Sequence, residues 1–255
     1  MILVLVTALW LVSLRRRDAS IIDIFWGTGF ILINWLYFFL APEGLPTRKW
    51  IAALLVTLWG LRLSWHIFTR NRGQGEDFRY AQWRADHGAK WWWQSYLQVF
   101  LLQGVLMWII SAPLLAANHA NAALNFFDWA AIPVWALGFY FEAAGDAQLA
   151  RFKNNPANRG ELLTTGVWRY SRHPNYFGDA AQWWGFFLLA AGAGGWWTAF
   201  SPLLMIYLLV RVSGVAMLEK TLKDTKLGYA EYVRRTSAFV PWGRKRENVK
   251  RENKT

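Results

Sequence analysis

No cysteine occurs in the 255 residues, which excludes disulfides, thiolate metal sites and a cysteine nucleophile. Histidine is scarce. His66, His87, His119 and His173 stand far apart, with no H-x-x-x-H or H-x-x-E spacing, so no metal pattern is present. No serine sits in a G-x-S-x-G elbow. The pair Gly73-x-Gly75 follows no strand pattern, so a Rossmann site is not supported. Charge is thin: charged residues make up 17% of the chain, against about 25% in soluble domains. Acidic residues number only 16 against 28 basic ones. Internal repeats, low-complexity stretches and a second soluble domain are also lacking.

What is abundant is apolar and aromatic. Hydrophobic residues reach 55%, with 19 Trp, 17 Phe and 9 Tyr. Seven apolar windows emerge, at Met1–Leu14, Ile21–Ala41, Trp50–Phe68, Ser95–Ala117, Phe126–Leu149, Tyr176–Gly192 and Trp196–Val212. The first has no basic n-region or A-x-A site and reads as a retained span. Gly192, Gly194 and Gly195 predict a tight hairpin between the last two. Only Arg48 and Lys49 are expected in an opposite-side loop, and Arg62 and Arg211 inside spans; the other 24 of the 28 basic residues fall in alternate loops or the C-terminal tail. Those loops are therefore expected on the cytoplasmic side. The net charge of +12 then belongs to membrane-flanking loops rather than to nucleic-acid binding. The expected fold is an all-α integral membrane protein of about seven transmembrane helices, N-terminus outside and C-terminus cytoplasmic. Residues 1–243 form one polytopic domain, and 244–255 form a charged, frayed tail.

Ionisable groups at membrane depth are costly, so each is a functional candidate. They are Asp23, Arg62, His66, Glu142, Asp146, Asp179 and Arg211. Arg62 with His66, and Glu142 with Asp146, are i,i+4 pairs on single helix faces. Pairing or snorkelling near span ends is the bland alternative, and for Arg211 the better one. The stretch from Lys153 to Asp179 (KNNPANRGELLTTGVWRYSRHPNYFGD) is the most informative. Arg159, Arg169 and Arg172 can meet phosphate oxygens. Trp168, Tyr170 and Tyr176 can stack on a ring, and Asp179 can accept from a ribose or an amide. An ordinary positive-inside loop would need the charges but not this amide-, Pro- and Gly-rich order.

The runs GELLTTGVWRYS and RHPNYFGD closely resemble the C-terminal signature of membrane steroid 5α-reductases and the sterol C14- and Δ7-reductases. FKNNP (Phe152–Pro156) looks like the FRxNP element of the sterol reductases. GYAEYVRRTSAFVPW, after Glu219, resembles the cytosolic end of that superfamily. DIFWGTGF and RNRGQGEDFRY look like its bacterial branch, which puts the expected location in a bacterial inner membrane, an endoplasmic reticulum membrane having the same topology. The C-terminal resemblance covers residues 146–242, taken as the cofactor-binding half. It implies NADPH bound between the last spans and the cytosolic loops, with hydride passing to an activated C=C bond of an apolar, steroid-like or lipid enone. By motif, Lys153, Arg172, His173, Asn175, Tyr176, Asp179, Glu219 and Tyr232 would contact the cofactor, with Leu163 and Trp168 flanking it. Arg62 is a looser match to an early-span arginine. The Gln-Glu pair that polarises a steroid 3-keto group is not found, which weakens a steroid substrate but not reduction.

Hydride attack needs a donor at the developing oxyanion and an acid for the adjacent carbon. Asp23, Glu142 and Asp146 are the candidate acids, with Tyr80 and His66 as alternates. Two other readings stay open. Isoprenylcysteine carboxyl methyltransferases share an RHPxYxG-like element but use S-adenosylmethionine, and a non-catalytic lipid-binding or transport protein would need no ordered loop. The expected partners are an apolar substrate entering from the bilayer and membrane lipids, not nucleic acid.

Overall fold

The computed structural model describes residues 1–213 and 228–242. Each of the seven apolar windows is helical. In chain order the helices are α1 (Ile2–Arg16), α2 (Ile21–Ile24), α3 (Trp26–Leu40), α4 (Pro46–Asn71), α5 (Phe78–His87), α6 (Trp91–Ser95), α7 (Leu102–Ile110), α8 (Ala112–His119), α9 (Phe126–Asn154), α10 (Pro174–Gly192), α11 (Phe200–Tyr207) and α12 (Tyr229–Arg235). π-helical turns at Tyr96–Leu101 and Leu208–Ser213 follow α6 and α11. Among the described residues no strand occurs beyond one isolated parallel bridge, Ser171 to Ser237. Glu219 and the charged tail from residue 244 lie outside the described residues.

The chain divides into two compact units. Unit 1 comprises residues 1–136 and 182–205, and unit 2 comprises residues 137–181 and 206–255. In unit 1, α3 and α4 meet backbone to backbone. A Cβ placed on Gly60 would lie 2.6 Å from the Gly27 carbonyl oxygen, so neither position has room for a side chain. Thr28 and Ser64 hydroxyls bond at 2.9 Å beside this crossing. Next to it, Phe30, Trp59, Trp183 and Phe186 form a buried cluster with tilted and edge-on rings.

The opposite face of α4 is bare. Trp50, Leu54, Leu58, Leu61, Trp65 and Phe68 are all exposed and recur at helical spacing. At about 1.5 Å per residue this stripe is roughly 27 Å long. It comes close to the ~30 Å hydrocarbon thickness of a bilayer, with aromatic rings at both ends, as interfacial belts require. Two helical segments, Pro46–Asn71 and Phe78–Ile110, are long and apolar enough to cross a membrane.

Arg48 and Lys49, expected in a loop, lie inside α4 and are buried. The cause is local. Pro46 at the first helical turn starts the helix early, and burial is then possible because every guanidinium arm finds an acceptor. Arg48 Nε and Nη2 donate to the two Asp128 carboxylate oxygens at 2.6 and 2.9 Å. Nη1 donates to Ala122 O at 2.8 Å, and Nη2 also reaches Ala123 O and Gly192 O. Lys49 Nζ donates to Ala41 O at 2.6 Å and sits over the Phe38 ring. Asp128→Ala should therefore cost about 3–5 kcal/mol, because a buried guanidinium loses its carboxylate. Arg48→Met with Asp128→Leu should recover most of that. Melting of the detergent-solubilised variants checks both.

Candidate functional site

Helix α9 ends in unit 2 with the stripe Glu142, Asp146, Leu149 and Lys153, spaced i, i+4, i+7 and i+11 on one face. After α9 the chain turns through Pro156–Asn158 and a loop, and returns through a short 3-10 turn at Gly166–Arg169. The return is pinned to α9. Val167 N donates to Gln148 Oε1 at 3.0 Å, and Trp168 Nε1 donates to Gly145 O at 3.1 Å. A cavity of about 300 Å³ opens here, at the small end of the usual ~300–1,000 Å³ range for ligand sites. Leu149, Phe152, Leu163, Trp168, Tyr229 and Tyr232 give it apolar and aromatic walls. Lys153, Arg159 and Arg172 give it positive charge.

Five of the residues expected at the cofactor, Lys153, Leu163, Trp168, Arg172 and Tyr232, thus line one pocket. Four others sit on or beside the start of α10, which begins at Pro174. Asn175 Nδ2 donates to Asp146 Oδ1 at 3.0 Å. His173 and Tyr176 stack with rings nearly parallel, 5.7 Å apart. Asn175 and Asp179 share a face because the helix has begun before Asn175. Glu142, Asp146, His173 and Asp179 are all buried. Helices α9 and α10 cross closely at this point: a Cβ on Gly178 would lie 2.5 Å from Gly138 O and would strike the Glu142 backbone nitrogen.

Arg172 is the residue whose surroundings differ most from a free phosphate ligand. Its Nη1 donates to Thr236 O at 2.6 Å and Val233 O at 3.3 Å, at the C-terminal end of α12. Those acceptors are some 60 residues away in sequence, so local spacing gave no sign of them.

Asp23 and Arg62 belong to unit 1, on α2 and α4. There Tyr80 Oη donates to Asp23 Oδ1 at 2.8 Å, and Gln103 Nε2 donates to Tyr80 Oη at 3.1 Å. Arg79 lies 3.5 Å from Asp23 and bonds Asp77, the N-cap of α5. Burial pushes the Asp77 carboxyl up, but the Arg79 side-chain and backbone bonds outweigh it and hold it below the ordinary carboxylate value. Gln103 was not singled out by sequence. An isolated glutamine in an apolar run was the available signal.

Residues 9–236 match the family model described as "Protein of unknown function (DUF1295)". The chain belongs to that family. It is also similar to a protein of Schizosaccharomyces pombe described as "Uncharacterized protein C594.04c", with 28% identity over 213 residues. The match covers 72% of this chain and 60% of that relative, so the chain spans about 60% of the relative's length. No solved structure matches.

Asp179→Asn retains shape but replaces an acceptor oxygen with a donor and removes charge. If Asp179 serves a ligand, nucleotide affinity should fall while the ligand-free melting temperature stays nearly unchanged. A large ligand-free destabilisation with unchanged affinity would assign Asp179 to the helix crossing instead.

Proposed function

We propose that this protein is an integral membrane oxidoreductase that binds NADPH in the unit 2 pocket and reduces an activated C=C bond of an apolar, lipid- or steroid-like enone. The observation that carries the reading is the convergence of Lys153, Leu163, Trp168, Arg172 and Tyr232, which one family signature singled out, on a single cavity. The cavity's chemistry fits the cofactor. Cations can meet phosphates, and Trp168, Tyr229 and Tyr232 offer stacking surfaces. When bound, NADPH supplies a hydride to the electron-poor carbon, and a proton completes the reduction at the carbon next to it.

The proton source is proposed among the buried carboxyls. Glu142 and Asp146 continue the same α9 stripe that brings Leu149 and Lys153 into the pocket. At about 1.5 Å per residue, Asp146 stands roughly 4–5 Å and Glu142 roughly 10 Å along the axis from Leu149. Asp146 already accepts from Asn175, which gives it an orienting role and leaves the acid role to Glu142. The Asp23–Tyr80–Gln103 network in unit 1 is the alternative acid.

The bare 27 Å stripe on α4 supports a lipid-facing helix, because soluble proteins rarely leave so long an apolar surface open. The charge distribution supports the proposed seven spans, with the basic loops cytoplasmic and the N-terminus outside. A bacterial inner membrane is the location this reading proposes. Reporter fusions after Arg17, Lys90 and Arg169 should read cytoplasmic, and one at Asn121 external. A cytoplasmic signal at Asn121 would contradict the topology.

NADPH should raise the melting temperature of the purified protein, NADH less so, and S-adenosylmethionine not at all. Lys153→Gln should narrow the NADPH–NADH difference by roughly 1 kcal/mol, the scale of one partly exposed charged hydrogen bond. Stabilisation by S-adenosylmethionine alone would transfer the site to a methyltransferase.

A further inference from the structure

The C-terminal segment 228–242 hangs on residues 168–172 by a set of bonds within unit 2. Arg172 N donates to Ser237 O at 2.8 Å, and Ser171 Oγ donates to Phe239 O at 2.7 Å. Trp242 N donates to Tyr170 O at 3.1 Å, and Tyr232 Oη donates to Trp168 O at 2.5 Å. The Arg172 guanidinium reaches over the last turn of α12, taking Val233 O and Thr236 O. These carbonyls have no partner further along a helix, and a cation placed there also meets the negative end of the helix dipole. The same segment supplies Tyr229 and Tyr232, both buried, to the pocket wall.

We propose that Arg172 is a positioning residue: it latches segment 228–242 as the pocket's wall, and ligand enters and leaves when that latch releases. A seven-residue helix is too short to hold its own shape in water. Its order comes from these anchors and from the tyrosines packed on the cavity. A ligand that fills the cavity rests against Tyr229 and Tyr232 and so opposes release. Local opening of this kind is a separate equilibrium from global unfolding. The choice of NADPH as probe rests on the function proposed above, but the latch does not.

The chain has no cysteine, so a single introduced thiol is a clean reporter. Thr236 is buried, and among the described residues its hydroxyl makes no hydrogen bond. Thr236→Cys therefore breaks no hydrogen bond and loses only the γ-methyl, and its thiol reacts with a maleimide when the segment lifts. Combined with Arg172→Lys, which keeps the charge but replaces the Nη1 that meets both carbonyls with an ammonium on a shorter stem, labelling should accelerate about tenfold without nucleotide. Saturating NADPH should slow labelling of Thr236→Cys about tenfold, and Arg172→Lys should speed NADPH dissociation more than it changes association. Lys153→Gln, a pocket cation outside the latch, should weaken NADPH without changing ligand-free labelling. Ser171→Ala loosens the same latch more mildly and serves if Arg172→Lys does not fold. Equal labelling with and without the latch substitution would overturn the proposal. So would NADPH that raises the melting temperature yet leaves labelling unchanged. If NADPH raises no melting temperature, the cofactor reading fails by itself, and faster labelling of the Arg172→Lys variant still upholds the latch.

Discussion

A guanidinium removed from water must have its N–H groups met, and that requirement organises both units of this protein. Leaving a buried charge without partners costs several kcal/mol. In unit 1, Arg48 is fully buried and spends its donors on Asp128 and three backbone carbonyls. The start of α4, the start of α9 and the end of α10 are thereby tied at one point. In unit 2, Arg172 is buried and spends Nη1 on the carbonyls that end α12. One arginine fixes helix ends through a carboxylate, the other a chain segment through backbone. The scarcity of charge in the sequence makes each such placement consequential.

The second constraint is close backbone approach. Gly27 with Gly60 in unit 1, and Gly178 with Gly138 in unit 2, allow helices to pack without intervening side chains. The unit 2 crossing puts Asp146 within hydrogen-bond reach of Asn175 and leaves the end of α9 and the loop after it to form the cavity. The pocket is thus a consequence of where two helices touch. Its chemistry comes from the loop that Gln148 and Gly145 pin from below.

Much of the helical pattern was legible in the sequence, because long apolar windows can satisfy their backbone only as helices. The pinning of the loop was not: nothing in the order of residues 160–171 says that Gln148 will hold Val167. Lys153, Trp168 and Tyr232 were found through a family signature, and the structure brings them to one cavity. Arg172 was found by the same signature, but its bonds to Val233 and Thr236 depend on tertiary contact across unit 2. Arg48 was misread as a loop charge for a related reason, since its partner Asp128 lies 80 residues on. The link between Asp23 and Tyr80 was likewise invisible, although each had been named by itself.

The NADPH site proposed in the unit 2 cavity is open to photolabelling. An NADP analogue with a photoreactive adenine would be irradiated with the detergent-solubilised protein and the modified peptides mapped. Label is expected on residues 149–172 and 228–232, displaced by NADPH and not by S-adenosylmethionine. Label confined to unit 1, or label that NADPH fails to displace, would contradict it.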